Sequence, residues 1–211
     1  MISYGEDFER DKQSLALAEK GLASDGGNYQ WLWRVARASY FVGDGSDKND
    51  KNRYFDHGIE IGQRAIAQEP KSVEGHFWLA VNYGGSAEQK GALRALSLVK
   101  KIRAEMETVL QINDRYQEAS AYHALGEIDR QLPRLFGGNL QRSIERLEQG
   151  ARIAPENMEM KFVLAQAYKD AGRKDDARRQ LQEIIARQVD PLHAKSQAHI
   201  QDKARQMLAK L

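Results

Sequence analysis

The sequence contains no cysteine and only four prolines in 211 residues. Without cysteine there are no disulfides, thiol nucleophiles or thiolate metal sites, although the compartment stays undecided. Few prolines suit long uninterrupted helices. Net charge is also scarce: 32 Lys plus Arg face 30 Asp plus Glu, a formal +2. No global field therefore draws the chain onto nucleic acid or anionic lipid. No apolar run approaches the roughly 18 residues of a membrane span, and "MISYGEDFERDKQSLALAEK" at the start lacks the apolar core of a signal peptide. The balance is uneven, with nine Lys or Arg against five Asp or Glu over residues 173–211. No aromatics interleave with that surplus, so it reads as a solvated helical surface rather than a nucleic-acid footprint.

What is present favours helix. Charged residues make up 29% and hydrophobic ones 41%, and Ala, Leu, Glu, Gln, Arg and Lys recur throughout. A period of 3.6 predicts helices over 6–24, 28–43, 52–68, 72–84, 90–112, 116–131, 139–154, 157–171, 174–188 and 191–210. Cap and stop residues punctuate them: "SDGGN", "GDGSDKND", "QEPKS", "APEN", "DAGRKD" and Asp190 before Pro191.

Self-similarity gives the array its architecture. In residues 155–185, Leu164 and Ala165 precede Tyr168, Gly172, Ala177 and Leu181, a spacing similar to the tetratricopeptide repeat of about 34 residues. Ala165 and Ala177 permit close helix approach, Tyr168 fills the gap beside them, and Gly172 stops the first helix. Upstream echoes place small anchors at Ala36, Ala80 and Gly126, and a Gly43 stop ends the helix that carries Ala36. Successive anchors are 44, 46 and 39 residues apart. Each interval exceeds the repeat, so insertions are expected at "GDGSDKNDKN", "GGSAEQKGA" and "LPRLFGGN". The fold class is all-α, an α-solenoid of about four tetratricopeptide-like helix pairs with flanking N-terminal and C-terminal helices. One domain is expected over 1–211, with units near 28–70, 71–114, 115–156 and 157–190. A capping helix over 191–211 buries Leu192, Ile200, Ala204, Met207, Leu208 and Leu211.

The stretches "WRVARASYFVGD", "EGHFWLAVNYG", "ALGEIDRQLPRLFGGNLQRSIERLEQGARIAPEN" and "KFVLAQAYKDAGRKDDARRQL" together resemble the bacterial TRAP-transporter T-component family. They resemble more distantly the eukaryotic regulators of microtubule dynamics. The T-component resemblance implies a periplasmic accessory of solute uptake behind a removed leader. It also implies a lipidated cysteine, which this sequence lacks.

Chemistry-bearing constellations are sparse. "LPRLFGGNLQRS" has no preceding strand and no Gly-Lys-Ser, so it is no P-loop, though Gly138 and Asn139 with Arg134 and Arg142 form a candidate anion site at a helix start. "GDGSDKNDKNRYF" spaces Asp44, Ser46 and Asp50 like a calcium loop but puts Phe55 where the closing carboxylate belongs. His123 and Glu127 supply half a metal site without a second half. Asp175 with Asp176 suits a helix start, not acid–base work. No nucleophile–base–acid set is visible, so no enzyme, cofactor or metal is expected.

Positions three before, one after and four after each anchor should line the inner, first-helix face. They select Trp33, Arg37, Tyr40, Phe77, Val81, Gly84, His123, Glu127, Arg130, Phe162, Gln166 and Lys169, of which all but Val81 and Gly84 are groove candidates. Trp33, Phe77 and Phe162 fit equally a core between units. Such a face suits a protein or peptide partner, with a small organic ligand and self-association left open. Neither nucleic acid nor direct membrane insertion is expected.

Overall fold

The computed structural model describes residues 7–89 and 92–211, with side chains omitted for 92–94. Among the described residues it is all-helical, an α-solenoid of paired helices. Two compact units, Met1–Asn113 and Asp114–Leu211, build the chain.

The first unit holds α1 (Phe8–Ser24), α2 (Tyr29–Gly45), α3 (Lys48–Gln68), α4 (Val73–Gln89) and α5 (Ala92–Asn113). Local capping explains the starts: Asp7, Asn28 and Asp47 each accept amide hydrogen bonds from the first turn they precede. At the start of α4 a tertiary contact does the same work, because the Gly75 amide donates 3.1 Å to the Tyr29 hydroxyl of α2, which itself donates 3.0 Å to Glu74. α2 packs against α1, α3 and α4, and α4 against α5. Buried Asn82 on α4 donates to the Ala36 carbonyl of α2 at 2.9 Å and to Trp78 at 2.8 Å, while its side chain fills the space over Gly58 of α3. One polar group thus ties three helices in a single register.

Two expected insertions are corrected here. "GDGSDKNDKN" is mostly helix, since Asp47 caps α3 four residues earlier than its expected start at 52. Lys51 donates to the Asp44 carbonyl at 2.7 Å, and the alternating calcium-like spacing is dissolved into helix. Likewise α4 runs on through Gln89, taking in most of "GGSAEQKGA"; residues 90 and 91 lie outside the described residues. Gly43 is not a stop, because α2 continues to Gly45.

The second unit holds α6 (Tyr116–Gln131), α7 (Leu140–Ile153), α8 (Met158–Asp170), α9 (Lys174–Ala186) and α10 (Ala194–Leu208), with 3-10 turns at Arg134–Phe136 and Pro191–His193. α6 opens with a left-handed turn at Gln117, Glu118 and Ala119, a conformation that costs about 1–2 kcal/mol per residue. The turn buries Ala119 and aims the Glu118 carbonyl at the Asn157 amide, 3.2 Å away. Small residues let the helices close up. A side chain on Gly126 would strike Leu147, and one on Gly150 would strike Met160 and Tyr122. Gly172 has φ +75, and the Arg173 amide reaches back to the Tyr168 carbonyl at 2.8 Å, the closing bond of a Schellman stop.

α10 packs on α9 and touches α8. It buries Ile200, Gln201 and Ala204, and the Gln201 amide donates to the Ile184 and Arg187 carbonyls at 3.1 and 2.8 Å, satisfying the end of α9. Leu192 departs from the expected capping set: it sits in the 3-10 turn, 52% exposed. Ala165 is fully buried on α8. Ala165→Trp should therefore destabilise by about 1–3 kcal/mol through overpacking, read as an earlier urea midpoint at unchanged helical circular dichroism. A neutral result would contradict the repeat register.

Candidate functional site

The elbow between α6 and α7 is a hydrogen-bonded joint centred on a buried carboxylate. Asp129, buried on α6, accepts from Arg142 Nε and Nη2 at 2.7 and 2.6 Å and from Arg146 at 3.0 Å. Arg142 also donates to the Gly137 carbonyl, the Asn139 amide reaches the Asp129 carbonyl at 2.8 Å, and Asn139 Oδ1 caps the Arg142 amide at 3.0 Å. Arg142 and Asn139, two of the groups that would face an anion, are thereby committed to the fold, while Arg134 lines the hollow beside Gly138 and Asn139. Leu135 and Phe136 at the elbow's tip are 87% and 52% exposed.

In the first unit, α2 and α4 supply the candidate face. Trp33 is half-buried, donates to Gln30 at 3.2 Å and carries the Arg34 guanidinium over its ring at 4.3 Å. Arg37 lies over the Trp78 ring at 5.5 Å. Tyr40 meets Phe41, Phe55 and Trp78 at ring distances of 5.3, 6.0 and 6.4 Å. The structure thus gathers Arg37 and Tyr40 around Trp78 and leaves Trp33 beside Arg34. Phe77 is only 6% exposed and meets Trp78 edge-on at 5.0 Å, which makes it core. A side chain on Gly84 of α4 would meet nothing within 4 Å. A hollow between α1 and α3 places His57 Nε2 3.3 Å from Glu19, and Lys12 on its rim is paired with Glu9 at 2.6 Å.

In the second unit, α6 and α8 supply the face. Arg130 donates two bonds to Glu127 and one to Asp170 at 3.0 Å; burial opposes its charge, but these carboxylates outweigh burial and hold it above its ordinary value. Burial pushes the His123 imidazolium down, against the opposing pull of Glu159 and Glu127. Among the described residues no group of three or more His, Asp or Glu could hold a metal.

Phe162, Gln166 and Lys169 lie together and meet Lys203, Gln206 and Met207 of α10, and Lys210 just beyond its end, across a cleft of about 380 Å³. The apolar stripe of this last helix does not reveal these residues as partners of α8. Their spacing at 203, 206, 207 and 210 already marked one helical face. Tyr168, opposite, turns away from this cleft and donates to Glu148 at 2.8 Å.

Burial and the carboxylates they meet raise the pKa of Tyr29 and Tyr168, desolvation first and then Glu74 and Glu148 respectively. A folded pKa above the unfolded value of about 10 means stability is fully present below that pH and declines above it, as the unfolded chain ionises first. Urea midpoints should hold to about pH 9 and fall beyond it, and Tyr29→Phe with Tyr168→Phe should shallow that fall. An unchanged slope in the double variant would contradict this assignment.

Comparison with known proteins places these helices. The family model described as Regulator of microtubule dynamics protein 1-3 matches residues 3–132, and a Tetratricopeptide repeat model matches residues 137–200. No curated protein matches the chain by sequence. Among solved structures, a thermophilic TPR protein of Thermus thermophilus is similar at 20% identity and TM-score 0.66, covering 96% of this chain and 90% of its own. A structure of MamA is similar at 16% identity and TM-score 0.56, covering 91% and 89%. A second MamA structure gives 17% identity and TM-score 0.58, covering 82% and 80%. At these identities the likeness is one of fold.

Proposed function

This chain belongs to the regulator of microtubule dynamics protein 1-3 family, and from that premise we propose that it is a non-catalytic helical-repeat scaffold whose first-helix faces take a protein or peptide partner. One observation carries the reading: each unit leaves a first-helix face on which half-buried aromatics stand among polar groups, Trp33, Arg37 and Tyr40 in one, Phe162, Gln166 and Lys169 in the other. Aromatic and Arg side chains of this kind supply most binding energy in protein interfaces.

The transporter-accessory alternative, a periplasmic protein holding a small organic ligand, rests on motif resemblance alone. Native mass spectrometry of the protein purified from its own source separates the two. A co-purifying polypeptide, with Trp33→Ala and Arg37→Ala each weakening its capture by about 1–2 kcal/mol at unchanged thermal midpoint, supports the scaffold. A bound small molecule with no polypeptide supports the alternative. Loss of folding in both variants would assign these residues to the core.

A further inference from the structure

We propose that the cleft between α8 and α10 docks an acidic peptide segment, its carboxylates set around Lys169, Lys203 and Lys210 and an apolar side chain on Phe162 and Met207. This deepens the scaffold reading and rests on it. The surplus positive charge of residues 173–211 is only partly neutralised within the fold. Arg173 and Arg179 are spent on Asp176, Arg178 on Asp175, Arg205 on Asp202 and Arg187 on Glu156. Lys203 and Lys210 have no carboxylate partner among the described residues, and neither has Lys169 across the cleft. No carboxylate lines the cleft at all. Three like charges around one hollow repel one another and raise its local potential, which an acidic partner relieves.

The neighbouring face shows the contrast. Arg130, on α6, is neutralised by Glu127 and Asp170, so positive potential on the first-helix side concentrates at α8 and α10. The cleft floor is Phe162 and Met207, both half-buried, and the Gln166 and Gln206 amides stand beside them, able to donate to and accept from peptide backbone. Its volume, about 380 Å³, suits one or two side chains rather than a folded surface. Nucleic acid fits less well, since three cations and a single aromatic offer neither a backbone track nor a stacking platform.

The test is selection of a random twelve-residue display library on the full chain, followed by anisotropy with fluorescein-labelled winners. The expected winners are enriched in Asp and Glu beside an apolar residue. Their binding should fall at least about tenfold both from 0.05 to 0.5 M salt and in Lys169→Gln/Lys203→Gln. Thermal unfolding of that variant should match the parent, because both lysines are exposed. Winners without acidic enrichment, or acidic winners that bind the double variant equally, overturn the cleft assignment while leaving the scaffold standing. Tighter binding of a twenty-residue oligothymidine than of any acidic peptide also overturns it. Absence of any selectable peptide overturns the cleft assignment and leaves the scaffold reading to a folded protein partner.

Discussion

Phe55→Ala should lower the unfolding free energy by about 3–5 kcal/mol, the range for deleting a fully buried aromatic. The Phe55 ring is 2% exposed and wedges between Gly43 of α2 and Gly85 of α4, where a methyl group on either glycine would come within 2.5–2.8 Å of it. Because glycines bound the site on two sides, neither of those positions has a side chain that could swing in to fill the cavity. The measurement is urea denaturation. A loss below about 1 kcal/mol would mean that the helices collapse onto the space. Gly85→Ala in the parent should cost about 1–3 kcal/mol by overpacking, and less in the Phe55→Ala background, where the added methyl meets an empty site. Additive effects would show that the ring and the glycine do not share one contact. Gly84→Ala, next along α4, meets open space and serves as the control.

Asp129→Ala should cost about 3 kcal/mol, because it strands Arg142 and Arg146 without the carboxylate they share. Asp129 has no exposed side-chain surface, whereas the Arg142 side chain is 40% and Arg146 17% exposed. Water can therefore recover part of the Arg142 interaction, which sets the figure at the lower end for a broken buried pair. Arg142→Ala should cost less, since Arg146 still pairs with Asp129. Equal losses in the two variants would indicate that bonding of Arg142 to the Gly137 carbonyl matters as much as the charge pair.

How much was legible in the sequence follows from how local each cause is. Asn28, Asn139, Asn157 and Asp190 cap what their positions promised, since a cap is a contact over two or three residues. Gly172 is a true stop for the same reason. Gly43 resembles a helix stop and Gly85 falls within an expected insertion, but both admit the Phe55 ring, a partner no local pattern reveals. Phe77 fell on the expected inner face, yet α4 is flanked by α2, α3 and α5, and every residue from 75 to 80 is buried. A helix enclosed on that many sides has no single wet stripe to predict. The elbow motif was visible, while its purpose was not: Asp129 and Arg142 are 13 residues apart and meet only when α7 folds back on α6. Lys169 was identified as a face residue, but its company with Lys203 and Lys210 needed the packing of α10 against α8.

The cleft is probed by the backbone amide chemical shifts of the full chain, titrated with the tightest display-selected acidic peptide. Shifts should cluster at Phe162, Gln166 and Lys169 of α8 and at Lys203, Gln206 and Met207 of α10. Shifts confined to the outer helices α7 and α9, or to the exposed Leu135 and Phe136 of the elbow, would contradict docking there.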